Sequence, residues 1–204
     1  MNYLAHLELS GSDSDVLIGN LMGDFIKGKL VHARFTALPV RVQKGIHLHR
    51  KIDDFTDKHE LVKEVTSFFL KKQGKYAGIV VDVLFDHLLA KNWAILHNKE
   101  SLDEFSSNVY EILPKYQPLF PERMDKMIQS LLLHRWLPQY KVEAGVQMAL
   151  AGISRRTTTG HSFDAVFDDF YAHESEITHL FLLYYPQLKD FCSGYLSKEF
   201  IIDL

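Results

Sequence analysis

Apolar residues recur at three- and four-residue spacing along most of the chain, and the alternating pattern of strands bounded by turns is absent. Residues 2–9 form a first short segment. It leads into the polar turn SGSDSD, where Asp13 or Ser14 can cap a helix running to about residue 27. Pro39 opens a central helix through GIHLHRKIDDFTD (45–57) that closes near Thr56 and Asp57. Residues 60–72 read as amphipathic, and GKY (74–76) separates them from AGIVVDVLFDHLLAKNW (77–93), which is apolar nearly all the way round. Residues 102–113, 122–137, 142–154 and 162–185 continue the helical spacing, punctuated by Pro114, Pro118, Pro121, Pro138 and Pro186. The expectation is an all-α, irregular multi-helix bundle of eight or nine helices in a single domain, 1–204. The chemistry falls in about 1–98 and the scaffold in about 99–204.

Several polar residues break the apolar faces of these helices. At about 100° per residue, His49 and Asp53 fall on the same side as Val42, Ile46 and Ile52. Asp24 shares a face with Leu17 and Leu21. Asp82 and Asp86 stand one turn apart on a stripe continued by Leu89 and Trp93. Burying such groups costs several kcal/mol unless they are paired. Neighbouring carboxylates raise each other's pKa unless a cation lies between them. The plainer alternatives are a hydrogen bond between His49 and Asp53, neutralisation of Asp82 and Asp86 by Arg50 or Arg155, and solvation of Asp24 near its helix end. His87 points about 100° away from Asp86 and reaches a shared ion only across the notch between the two directions. His47 and Asp54 lie toward Arg50 and Lys51, on the outer side. His6, between Ala5 and Leu7, reads as a core histidine, with the metal within reach as the other possibility.

The totals narrow the chemistry. The 204 residues are 47% hydrophobic and 24% charged, with a formal net charge of -3, so nothing argues for a nucleic-acid partner. No segment approaches a membrane span and the first residues carry no export signal, so no membrane partner and a cytoplasmic protein are expected. Cys192 is the only cysteine, which excludes a cysteine metal cluster. Eleven histidines against one cysteine push any metal reading toward His and carboxylate ligands, the set that suits a divalent metal such as manganese, magnesium, iron or zinc. GISRR (152–156) offers Arg155 and Arg156 as forks for phosphate oxygens, or as ordinary charge at a helix end. Lys27, Lys29, Arg34, Arg41 and Lys44 could form a basic patch. There is no Gly-rich phosphate loop and no GxSxG elbow.

NYLAHL (2–7), GNLMGDFIKG (19–28), GIHLHRKIDDFTD (45–57), DVLFDHLLAKNW (82–93) and SRR (154–156) resemble, in order and over most of the chain, the acyl carrier protein phosphodiesterases. The resemblance implies a divergent relative of the HD-domain metal phosphohydrolases. It also implies hydrolysis of the phosphodiester joining 4'-phosphopantetheine to a serine of holo acyl carrier protein, with manganese preferred. The doublet Asp86-His87 reverses the usual HD order. The resulting hypothesis sets Asp24, His49, Asp53, Asp82, Asp86 and His87 around one or two metals. Arg50, Arg155 and Arg156 would then meet the phosphate or the carrier. The rivals are a hydrolase of a nucleotide or other small phosphodiester, and a non-catalytic helical binding module closed by arginine–carboxylate pairs.

Overall fold

The structure is a computed structural model and describes residues 1–28, 33–157 and 160–199. These residues form thirteen α-helices, three short 3-10 turns and no strand. A multi-helix all-α fold is the result.

The site is built by α1 (Tyr3–Glu8), α2 (Ser14–Met22) and α4 (Val40–Lys58), with a 3-10 turn (Gly23–Phe25) after α2 and the short α3 (Ala33–Thr36) before α4. Asp13 caps α2, accepting from the Asp15 and Val16 amides at 2.9 and 3.2 Å while pairing with Arg41. Thus α2 stops at Met22, short of the expected residue 27.

Helices α2 and α4 cross at two glycines. A Cβ on Gly19 would lie 2.0 Å from the Val42 carbonyl oxygen, and one on Gly45 2.1 Å from the Val16 carbonyl oxygen. Only hydrogen side chains permit this approach, and it carries the inward face of α4 up to the residues of α2. Because the obstacle is backbone, Gly45→Ala is expected to cost about 3 kcal/mol, the upper part of the overpacking range. Urea denaturation of the two proteins measures it.

The middle of the fold is α6 (Ala77–Lys91), buried along almost its whole length between α1, α5 (Glu60–Gln73) and the later helices. The rest comprises α7 (Trp93–Leu96), α8 (Leu102–Ile112), α9 (Glu122–His134), α10 (Trp136–Gln139), α11 (Glu143–Ser154), α12 (Val166–Ala172) and α13 (Glu174–Leu196). Two expected helices are divided. Residues 122–137 break at Arg135, whose φ is +47°, and residues 162–185 divide at His173. By contrast, Pro186 does not end α13, because its buried stripe of Leu180, Phe181, Tyr184, Tyr185, Leu188 and Cys192 continues past the proline. No helix among the described residues is long and apolar enough to cross a membrane.

Helix α13 is fastened to α1 by a buried carboxylate. Glu8 accepts from Tyr185 Oη at 2.5 Å and Lys189 Nζ at 2.7 Å, and lies 2.6 Å from His97 Nε2. Burial opposes its charge, but the partners His97, Lys189 and Tyr185 outweigh it and hold the carboxyl below the usual glutamate range. A depressed carboxylate contributes stability above its unfolded pKa of 4.5 and loses it as pH falls through the folded value. Glu8→Gln is therefore expected to lower stability by about 3 kcal/mol at pH 7. The gap from wild type should begin to close as pH falls below 4.5, as read from thermal unfolding over a descending pH series.

Candidate metal centre

Helices α1 and α4 and the turn after α2 bring two imidazoles and two carboxylates to one place. Within α4, His49 Nε2 lies 3.2 Å from Asp53 Oδ2. From α1, His6 Nε2 lies 3.3 Å from Asp53 Oδ1. The His6 and His49 rings stack at 4.1 Å between centroids. Asp24, in the turn after α2, stands 3.6 Å from His49 Nε2. Both imidazoles are buried, whereas Asp53 and Asp24 are 43% and 55% exposed, so the cluster opens to solvent on its acidic side. Gly23 makes room for it, since a Cβ there would fall 2.1 Å from His49 Cγ.

His6, Asn20 and Asp53 together decide what the cluster can hold. Asn20 is fully buried and its Nδ2 lies 2.7 Å from the His6 carbonyl oxygen, which can only accept. That nitrogen also donates to Ser10 Oγ at 2.9 Å. The amide orientation is thereby fixed, and Asn20 Oδ1 must face His6 Nδ1, 2.9 Å away. Nδ1 is then the protonated nitrogen and Nε2 presents a lone pair to the Asp53 carboxylate. Burial first, then the neighbouring His49, push His6 toward its neutral form. A lone pair set against a carboxylate oxygen at 3.3 Å repels it unless a cation joins them. Two imidazoles and a carboxylate whose ligand atoms all lie within 4.8 Å of one another suit a divalent ion. An amide partner behind the ligating histidine is the support such sites use.

Asp53 also has the charge this requires. Nearly half exposed, its carboxyl is ionised at neutral pH. Beside Asp24 a cleft of about 690 Å³ opens, with Asp24, Tyr3, Lys27 and Arg156 on its walls. The profile of the family described as acyl carrier protein phosphodiesterase matches residues 1–188.

The chain belongs to the acyl carrier protein phosphodiesterase family.

Relatives that carry that name cover nearly all of it. The protein of Klebsiella pneumoniae strain 342 is 32% identical over 188 residues, 92% of this chain and 95% of the relative. That of Yersinia enterocolitica serotype O:8 is 33% identical over 189 residues, with 92% and 95% covered. That of Escherichia coli O6:K15:H31 is 32% identical over 193 residues, with 93% and 96% covered. No solved structure matches the chain. The family name denotes a hydrolase of phosphodiesters, and the helical architecture is compatible with an HD-like relation.

Not every expected site residue joins the cluster of this phosphodiesterase-family chain. Asp86, expected as a ligand, is fully buried and accepts from the Leu4 amide at 2.7 Å and the Ala5 amide at 3.1 Å. It closes the N-terminus of α1, where Asn2 supplies no side-chain cap. Burial raises its carboxyl to about 7 against the pull of those two amides. Asp82 instead accepts from the Met1 ammonium at 2.7 Å. His87 donates from Nδ1 to the Tyr140 carbonyl at 2.7 Å and lies edge-on to Phe167 and Phe170, facing the second half of the chain.

The arginines separate as well. Arg50 donates to the carbonyls of Ile26 and Gly28 at 3.0 and 2.8 Å, which fastens the segment just after Asp24. Arg156 reaches the cleft, whereas Arg155 is exposed and does not line it. Of the suggested basic patch, Lys27 lines the cleft. Arg41 pairs with Asp13, and Lys44 donates to the carbonyls of Leu196 and Lys198. Lys29 and the Arg34 side chain lie outside the described residues.

His6 and Asn20 are the residues that sequence reasoning undervalued. Asn20 had a signal: it sits about 60° from Leu17 and about 40° from Asp24 on the α2 wheel, a polar side chain inside an apolar arc.

Proposed function

We propose that this chain hydrolyses the phosphodiester joining 4'-phosphopantetheine to the serine of holo acyl carrier protein, releasing apo carrier protein in the cytoplasm. A divalent ion, manganese by preference, is held by His6, His49 and Asp53, with Asp24 at the open edge. The observation that carries the metal reading is His6 Nε2 standing 3.3 Å from Asp53 Oδ1 while Asn20 Oδ1 faces Nδ1. Asp82, Asp86 and His87 support the fold around the site instead of ligating.

When bound, such an ion supplies Lewis acidity toward the phosphoryl oxygens and a water acidic enough to lose its proton near neutral pH. The protein's own groups do the rest. Asp53 spans both imidazoles and fixes the spacing of their Nε2 atoms. Asn20 keeps the proton of His6 on Nδ1. Asp24, on the wall shared by cluster and cleft, accepts a hydrogen bond from the attacking water and orients it toward phosphorus. Arg50 holds the backbone behind Asp24, so that the carboxylate keeps its place as substrate enters.

Mass spectrometry of holo acyl carrier protein, incubated with the protein and manganese or with a chelator, tests the reading. Loss of the phosphopantetheine mass only in manganese is the expected result. Intact holo carrier beside cleavage of a nucleotide diester would replace it with the small-diester reading.

A further inference from the structure

We propose that the cleft beside Asp24 receives the phosphate and the pantetheine arm, and that Arg123 and Arg156, both on its lining, clamp the phosphate. This rests on the phosphodiesterase reading and adds the groups that recognise the transferred arm.

The cleft joins the two halves of the chain. Asp24, Ile79 and Val83 line it from the first half, and Arg123, Ile153 and Arg156 from the second. At about 690 Å³ it is in the size range of small-molecule sites. Its apolar side chains, Phe25, Ile79, Val83 and Ile153 among them, can meet the methyl and methylene groups of the arm, and Asp24 lies 3.6 Å from His49 of the cluster.

The charges inside it are unevenly paired. Its carboxylates are engaged within the protein: Glu122 by Lys126 at 2.7 Å, Asp82 by the Met1 ammonium, and Asp24 beside His49. Its cations are not. Among the described residues neither Lys27 nor Arg123 has an ion-pair partner, and the guanidinium of Arg156 meets only neutral groups, the Gly152 carbonyl at 3.1 Å and the Tyr3 hydroxyl. Unpaired guanidinium groups on the walls of a cleft that reaches Asp24, 3.6 Å from His49, suit an anion with two free oxygens, which their fork geometry fits. A phosphodiester offers those oxygens at the reacting atom, and the released phosphomonoester keeps them. Arg123 adds a residue from the half of the chain that otherwise looked like scaffold.

Titration calorimetry of the full-length protein with the product, 4'-phosphopantetheine, in manganese buffer tests this without turnover. Wild type should bind the product, and pantetheine lacking the phosphate should bind at least tenfold more weakly. Arg123→Gln and Arg156→Gln should each lose about tenfold in product affinity, as expected for one charge-assisted contact. Lys63→Gln, an exposed change on α5, should bind like wild type and sets the background for charge removal. Product affinity unchanged in both arginine variants, beside normal wild-type cleavage of holo carrier protein, overturns the clamp and leaves the phosphodiesterase reading intact. Clamp-dependent product binding without any cleavage of holo carrier protein supports the clamp and rejects that reading. Inorganic phosphate binding as tightly as the whole product would overturn the role given to the apolar walls.

Discussion

Asp53→Asn should abolish metal-dependent cleavage of holo acyl carrier protein while leaving the metal-free fold as stable as wild type, or more so. The asparagine keeps the shape of the carboxylate and removes its charge. Its amide nitrogen can donate to the His6 Nε2 lone pair, 3.3 Å from Asp53 Oδ1, and its carbonyl can accept from His49 Nε2, 3.2 Å from Oδ2. The repulsion that asks for a cation would then be relieved from within. Catalysis should fall by more than about 100-fold, since loss of a group merely behind a metal ligand already costs 10- to 100-fold. Thermal unfolding gives the independent reading. Wild type should gain stability on adding manganese, because an ion bound only by the folded state stabilises it by mass action, and Asp53→Asn should gain none. A manganese shift of wild-type size in the variant would remove Asp53 from the ligand set.

The helices were legible because their apolar spacing is strong, and their ends were legible where a capping side chain marks them, as Asp13 does for α2. The break at Arg135 carries no such mark. No glycine occupies that left-handed position, and the turn is held instead by tertiary contact, with the guanidinium 4.6 Å from the Tyr110 ring centre. Pro186 misled in the opposite direction, since burial on both sides of it outweighs one lost backbone hydrogen bond.

The site divides along the same line. Periodicity correctly placed His49 and Asp86 on inward faces, where burial of a charge demands a partner, whereas Asp53 stands 43% exposed at the rim of the cluster. What periodicity cannot say is which partner arrives. For Asp86 it is the open N-terminus of α1, whose Leu4 and Ala5 amides donate to the carboxyl. By capping α1, Asp86 holds the helix that carries His6, so it acts on the cluster through the backbone. The match between α1 and α4 depends on contacts between segments 43 residues apart, from His6 to His49, which no local pattern records.

Asn20→Ala gives the second large effect, and it separates positioning from mere stability. Without the asparagine, His6 loses the acceptor for Nδ1–H, while the His6 carbonyl and Ser10 Oγ lose a donor. Unsatisfied buried groups of this kind cost about 1–3 kcal/mol, so the variant should unfold at a lower temperature. A purely structural asparagine would do no more than that. The tautomer argument requires more: with Nδ1–H unsupported, the imidazole can turn or move its proton to Nε2, which removes the lone pair from the Asp53 side. Manganese affinity of the folded protein, measured by calorimetry well below the unfolding temperature, should therefore fall by about 10- to 100-fold. Reduced thermal stability with undiminished manganese affinity would show that His6 does not need Asn20 to present Nε2, and the metal reading would lose the observation on which it rests.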